Sequence, residues 1–197
     1  MNLSALRSHV RTLTGIASTD LLSNADLNIF INEAYQEICR ESDWPFLRNE
    51  FTINLTTGNN TYSIPVGVKE NAIASIVALT DDSNRRQLRP RSRYSTDAAV
   101  GPMSNGKPKE YDCWKGYISF YPTPNANEVL TVRYFIDPDD LTSDSDVPLF
   151  ESKFHTVIAY GAAVKVLIRE GDETERRNYY LSQFSNGINQ MKNDLLQ

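Results

Sequence analysis

The sequence predicts an α+β protein: a four-helix bundle, two helices from the N-terminus and two from the C-terminus, with an inserted antiparallel β-sandwich or barrel-like subdomain. Three observations carry this. Apolar residues recur at helical spacing in the first 47 residues and again after residue 147. Between them the pattern changes to short, alternating, β-branched segments divided by turn residues. Neither helical pair is stable alone in water, so the simplest packing brings all four together. The implied organisation is residues 1–47 for the N-terminal helices, 48–137 for the β subdomain, and 138–197 for the C-terminal helices and a docking tail.

Leu3, Leu6, Val10 and Leu13 share one face of the first helix, and Gly15 can terminate it. Ser23 is a good N-cap for the second, with Asp26 where a capping box usually has Glu or Gln. Leu27, Ile31, Ala34, Tyr35 and Ile38 form its stripe. A residue before proline is pushed out of the α region, so this helix ends by Trp44. Trp44, Pro45 and Phe46 read as a structural hinge: the aromatics fill the exit from bundle to sheet and the proline fixes the turn.

FTINLTT (51–57) and TYSIP (61–65) form a hairpin around Gly-Asn-Asn, and AIASIVALT (72–80) a third strand. DDSNRRQ reads as a loop or hairpin tip. KEYDCWKG (109–116) and YISFYP (117–122) are two strands around a tight turn at Lys115-Gly116, and EVLTVRYFI (128–136) is the last strand. An acidic lead-in, DPDDLTSDSDVPLFE, follows, with Pro148 suited to a first helical turn. The third helix spans Phe150 to Glu170, and its small residues Ala159, Gly161, Ala162 and Ala163 allow close approach of another helix. Gly171 ends it. The fourth runs from Asp172 to Leu196 on a stripe of Tyr180, Phe184, Ile188, Met191 and Leu195.

At 197 residues the chain can bury a core without staples. Its two cysteines match no metal spacing and no disulfide framework, which fits a reducing compartment. MNLSALRSHVRTLTG lacks the apolar stretch of a signal peptide, and no run approaches the ~18 apolar residues of a membrane span.

His9 and His155 lie far apart in helical patterns and read as structural residues. The lead-in aspartates lack the glycine and spacing of a calcium loop and read as a solvated loop, favourable to the positive end of the next helix. There is no G-x-S-x-G elbow, P-loop or G-x-G-x-x-G. The expectation is therefore no enzyme, no cofactor and no metal. The aromatic run YISFYPTPNANEVLTVRYF alternates as a packed sheet face rather than a sugar-binding strip.

The strongest charge feature is RRQLRPRSRY, with Arg85, Arg86, Arg89, Arg91 and Arg93. With Lys107, Lys109 and Lys115, residues 85–115 hold eight bases against three acids, a net of +5 in a chain of net −5. Arginines contact phosphates without reading sequence. The patch thus reads as facing a nucleic-acid backbone or an acidic neighbour, or as an exposed hairpin paired locally. A nucleic-acid-binding module remains an alternative function, and a polysaccharide hydrolase a weaker one.

Taken in order, LSNADLNIFINEAYQEI, DWPFL, TTGNNTYSIP, GKPKEYDCWKGYISFYPTP and the Asp-rich lead-in to a helix resemble the head-to-tail adaptor (connector) proteins of tailed bacteriophages. The resemblance spans nearly the whole chain. It implies a structural adaptor beneath the portal in the virion neck, assembled in the host cytoplasm. A ring of twelve copies, matched to the portal, would surround the DNA channel, without sequence-specific contact, and would receive tail or nozzle proteins. The family brings no active-site residues. Within that role the Arg-rich segment would face DNA or a neighbouring subunit, and Met191, Leu195 and Leu196 would dock the portal.

Overall fold

The computed structural model describes residues 1–66, 68, 72–79, 85–92, 104–171 and 175–196. The chain forms two compact units, one of residues Met1–Leu47 with Asp137–Gln197, the other of Arg48–Ile136.

The helical unit contains α1 (Leu3–Thr14), α2 (Asn24–Arg40), α3 (His155–Arg169) and α4 (Glu175–Leu195). Local chemistry sets the ends of the first two. The Asn2 side chain accepts the Ala5 N–H at α1, and Gly15 closes it at φ 74, a left-handed conformation that costs glycine little. Ser23 and Asp26 make a reciprocal capping box at α2. The apolar stripes then bury Leu3, Leu6 and Val10 on α1, with Leu13 half-buried, and Leu27, Ile31, Ala34, Tyr35 and Ile38 on α2.

The hub is α3. It buries Val157, Ile158, Ala159, Gly161, Ala162, Ala163, Val164, Val166 and Leu167, residues that occupy most of its circumference. α1, α2 and α4 each pack on it. Close approach depends on two glycines. A Cβ at Gly161 would lie 2.7 Å from the Phe184 ring of α4 and 2.9 Å from the Ala34 Cβ of α2. A Cβ at Gly187 would lie 2.6 Å from Val157.

The lead-in to α3 is laid back over α1 and α2. The carbonyls of Asp146 and Asp144 accept the N–H groups of Leu3 (2.9 Å) and Ser4 (3.3 Å), capping α1. Asn32 on α2 binds the Leu141 backbone twice, accepting its N–H at 2.8 Å and donating to its carbonyl at 3.0 Å. Gln36 donates to the Pro138 carbonyl at 2.7 Å. Asp146 accepts the backbone N–H groups of Ser143 and Thr142, which hold its carboxyl below the usual carboxylate range. Arg7 pairs with Asp144. These acids therefore shape a strap that serves α1 and α2, rather than screening the next helix. Pro148 lies seven residues before α3, outside its first turn, and a 3-10 turn at Ser152–Phe154 leads in.

The β unit has a seven-stranded sheet in the order β1-β9-β3-β4-β6-β7-β2 and a separate pair β5-β8. The strands are β1 (Arg48–Leu55), β2 (Thr61–Ser63), β3 (Ile73–Leu79), β4 (Arg85–Pro90), β5 (Asn105–Gly106), β6 (Glu110–Trp114), β7 (Tyr117–Tyr121), β8 (Thr123–Pro124) and β9 (Glu128–Phe135). Its core gathers Ile53, Leu55, Ile64, Ile76, Leu88, Tyr111, Ile118, Phe120, Leu130 and Val132.

The expected four-helix bundle with an inserted antiparallel sandwich is overturned. Only Phe184, Ile188 and Met191 of α4 are buried, so it lies along α3 and does not close a four-sided core. Seven of the strands form one mixed sheet, because β4 pairs parallel with β6 through Arg89↔Glu110 and Pro90↔Tyr111, and β1 and β2, expected as a hairpin, pair instead with β9 and β7. The segment RRQ, expected as a loop tip, belongs to β4: its residues pair with Leu79, Ala78 and Val77 of β3, and Leu88 enters the core.

Replacing Gly161 by Val should cost about 1–3 kcal/mol by overpacking against Phe184 and Ala34. Urea denaturation reads this as a lower midpoint at unchanged slope; an unchanged midpoint would mean that α4 does not seat on Gly161.

Candidate functional site

The arginines of the basic segment differ in their surroundings. Arg86, half-buried, donates through Nη2 to both carboxylate oxygens of Glu128 at 3.0 and 2.7 Å. Arg91 lies 3.5 Å from Glu110 and its guanidinium sits 5.1 Å from the Tyr121 ring centroid. Arg89 is exposed, as are Lys107 and Lys109. The Arg85 side chain and all of Arg93 lie outside the described residues. Two of the five arginines are thus engaged by acids of their own unit.

Trp44 is fully buried in the helical unit, where its Nε1–H donates to the Ile38 carbonyl at 2.7 Å. It stacks on Phe46 at 5.7 Å, Phe46 meets Phe150 at 5.3 Å, and Phe150 touches both Tyr35 (5.8 Å) and His155 (5.7 Å). Pro45 opens the 3-10 turn Pro45–Leu47 between them. The cluster ties the end of α2 to the start of α3. Burial pushes the Tyr35 hydroxyl and the Cys39 thiol each up to about 12, so neither is a reactive group at neutral pH.

His155 is also buried. Its Nε2–H donates to the Phe150 carbonyl at 2.9 Å, leaving Nδ1 to accept from the Met1 amino group. Burial lowers its pKa below the ordinary 6.5, which favours the neutral ring.

Met191 is completely buried and so seats α4 on the helical core. Leu195 is half-buried, and Leu196 is 41% exposed.

A feature that the sequence reading missed is a groove of about 1090 Å³ along α2, bordered by the strap. Glu33, Glu37, Glu41, Asp137, Asp139 and Asp140 line it, against Arg40 and Lys165. Lys165 from α3 reaches Glu33 at 3.6 Å and Glu37 at 3.2 Å. The signal for half of it is local, since Glu33, Glu37 and Glu41 recur every four residues on one helix face. The other half comes from a strap more than 90 residues away.

Among the described residues, no group of three or more His, Cys, Asp or Glu side chains could hold a metal ion. Nor is any described helix long and apolar enough to cross a membrane. What the described residues present is surface, with a charged groove along α2 and an exposed end of α4. The sequence profile of the SU10 adaptor protein matches residues 1–197, and the chain belongs to that family of phage head-to-tail adaptors, components of the virion neck. No curated protein matches the chain.

Replacing Trp44 by Ala should destabilise the helical unit by about 3–5 kcal/mol, since it empties a fully buried aromatic site and removes one of the two hydrogen bonds to the Ile38 carbonyl. An unchanged melting temperature would contradict this. A second expectation concerns pH. His155 binds a proton more readily unfolded than folded, so stability should fall as pH drops below about 6.5. His155→Gln should flatten that part of the stability profile; an equal slope in both chains would assign the dependence to other groups.

Proposed function

We propose that the chain forms a ring beneath the portal of a tailed phage, lines the DNA channel there and provides the platform for tail attachment. The observation that carries this reading is the family match across residues 1–197. A ring matched to the portal would hold twelve copies, assembled in the host cytoplasm, with tail or nozzle proteins on the far side. The role is structural and needs no catalytic residue.

The charge arrangement supports a channel wall. DNA that has to slide must not be gripped, and affinity rises steeply with each phosphate neutralised. Glu128 and Glu110 hold Arg86 and Arg91 back, which leaves Arg89 and scattered lysines to contact the backbone weakly. That same arrangement disfavours a dedicated nucleic-acid-binding module. For portal docking, Leu195 and Leu196 at the end of α4 are the available apolar groups, while Met191 anchors the helix that carries them.

Light scattering of the purified chain, alone and mixed with portal rings, tests this. The chain alone should be small, and the mixture should gain the mass of a full ring of copies. Deleting residues 193–197 should leave the circular dichroism spectrum intact and reduce the mass gain. A portal ring that keeps its own mass at every ionic strength where both partners stay folded would sink the reading. Full binding by the truncated chain would move the docking site elsewhere.

A further inference from the structure

The β6–β7 hairpin ends in an exposed aromatic pair. Trp114 and Tyr117 face each other across the strands, yet are 50% and 52% exposed. Between them Lys115 (φ 49) and Gly116 (φ 80) form a two-residue turn in the left-handed region, the geometry whose twist suits a hairpin. The Gly116 carbonyl accepts the Ile64 N–H at 2.7 Å, which ties the turn to the chain leaving β2. Val66, two residues further, is fully exposed. The Lys115 ammonium lies 6.0 Å from the Trp114 ring centroid. The tip is therefore a held projection with large apolar surface and one positive charge. Trp and Tyr are the side chains that most often anchor protein interfaces.

The α2 groove is its complement. It is concave and includes Ile29 at 56% exposure; of its six carboxylates, Glu33 and Glu37 pair with Lys165 and Glu41 with Lys192, while Asp137, Asp139 and Asp140 of the strap are exposed. We propose that the hairpin tip of one copy seats in the α2 groove of the next, with Trp114 and Tyr117 against Ile29 and the Lys115 ammonium among the carboxylates. This deepens the ring reading and rests on it. The occupant is a second copy because one chain supplies both the cationic aromatic projection and the acidic recess. Two different surfaces then meet, a heterologous contact that repeats from copy to copy and closes by rotation. Its strength suits the role. Two aromatics bury roughly 150–250 Å² each, far below the roughly 1,200 Å² of a stable pair. Free copies would associate weakly, and a ring held on a portal would add the contacts together.

Sedimentation equilibrium of the full chain tests the contact with two variants. One carries Trp114→Ser and Lys115→Glu and keeps its groove; the other carries Ile29→Lys and Asp139→Lys and keeps its tip. All four side chains are exposed or half-exposed, and circular dichroism checks that both variants fold. The wild-type chain should self-associate with rising concentration, and each variant should do so at least about tenfold more weakly. An equimolar mixture should restore one contact and stop at a dimer. Lys115→Glu alone, the mildest change, should weaken association and make it less sensitive to salt. A wild-type chain monomeric at millimolar concentration, variants that associate like wild type, or a mixture that stays monomeric would each overturn the contact. Portal rings separate this from the reading beneath it. If the tip variant still loads a full ring, the ring stands and this contact falls; if portal rings retain no wild-type copies, the ring reading falls.

Discussion

Burial of α3 on nearly every side is the constraint on which the helical unit depends. A helix apolar round most of its circumference has no stable place at a surface. It must be wrapped, and the wrapping comes from α1 and α2, more than 100 residues earlier, and from α4 after it. α1 and α2 are incomplete in turn, since each exposes an apolar stripe until α3 arrives. Gly161 lets both neighbours approach at once, with Phe184 on one side and Ala34 on the other. The strap then closes the arrangement: its carbonyls cap α1, and Asn32 and Gln36 fasten it to α2. Inserting the β unit between α2 and α3 costs little extra closure entropy, because that cost grows only with the logarithm of loop length.

This explains which parts were legible in the sequence. The first two helices are written locally, in Asn2, Gly15, Ser23, Asp26 and stripes at spacings of three and four, and they fold as that pattern says. The Lys115-Gly116 turn is likewise local. The pairing of β4 with β6 is not, since parallel neighbours are joined by a long crossover and leave no turn signature. Arg85-Arg86-Gln87 read as a loop tip in sequence because they follow the turn-forming run Asp-Asp-Ser-Asn. Leu88, paired with Ile76, enters the core, and the polar residues before it continue the strand in register with β3. Pro148 was misplaced for a similar reason: it fits a helix start, but the backbone there is already committed to the strap.

The candidate surfaces divide the same way. The arginine cluster is obvious in sequence, yet Glu128 lies 42 residues beyond Arg86, and nothing local marks that pair. Net charge over a segment therefore overstated what the surface offers. The α2 groove shows the opposite error. Its glutamates were visible at four-residue spacing, but the acids of the lead-in were read as serving α3, so the two halves were not joined. Only Asn32 and Gln36, bonded to Leu141 and Pro138, bring them together.

An adaptor has to be firm inside and restrained outside, and the two demands fall on different residues here. Trp44, Phe46, Phe150 and Tyr35 interlock where α2 ends and α3 begins, with Trp44, Phe150 and Tyr35 buried. Among the described residues, the side chains offered outward include Leu196 at a helix end, Trp114 and Tyr117 on one hairpin, and carboxylates along one groove. A large apolar face would drive association at low concentration and without control. Several small ones do so only when a template aligns them, because the second contact is then made at high effective concentration. In the proposed ring, contacts that are weak one by one would let copies remain apart until the portal aligns them.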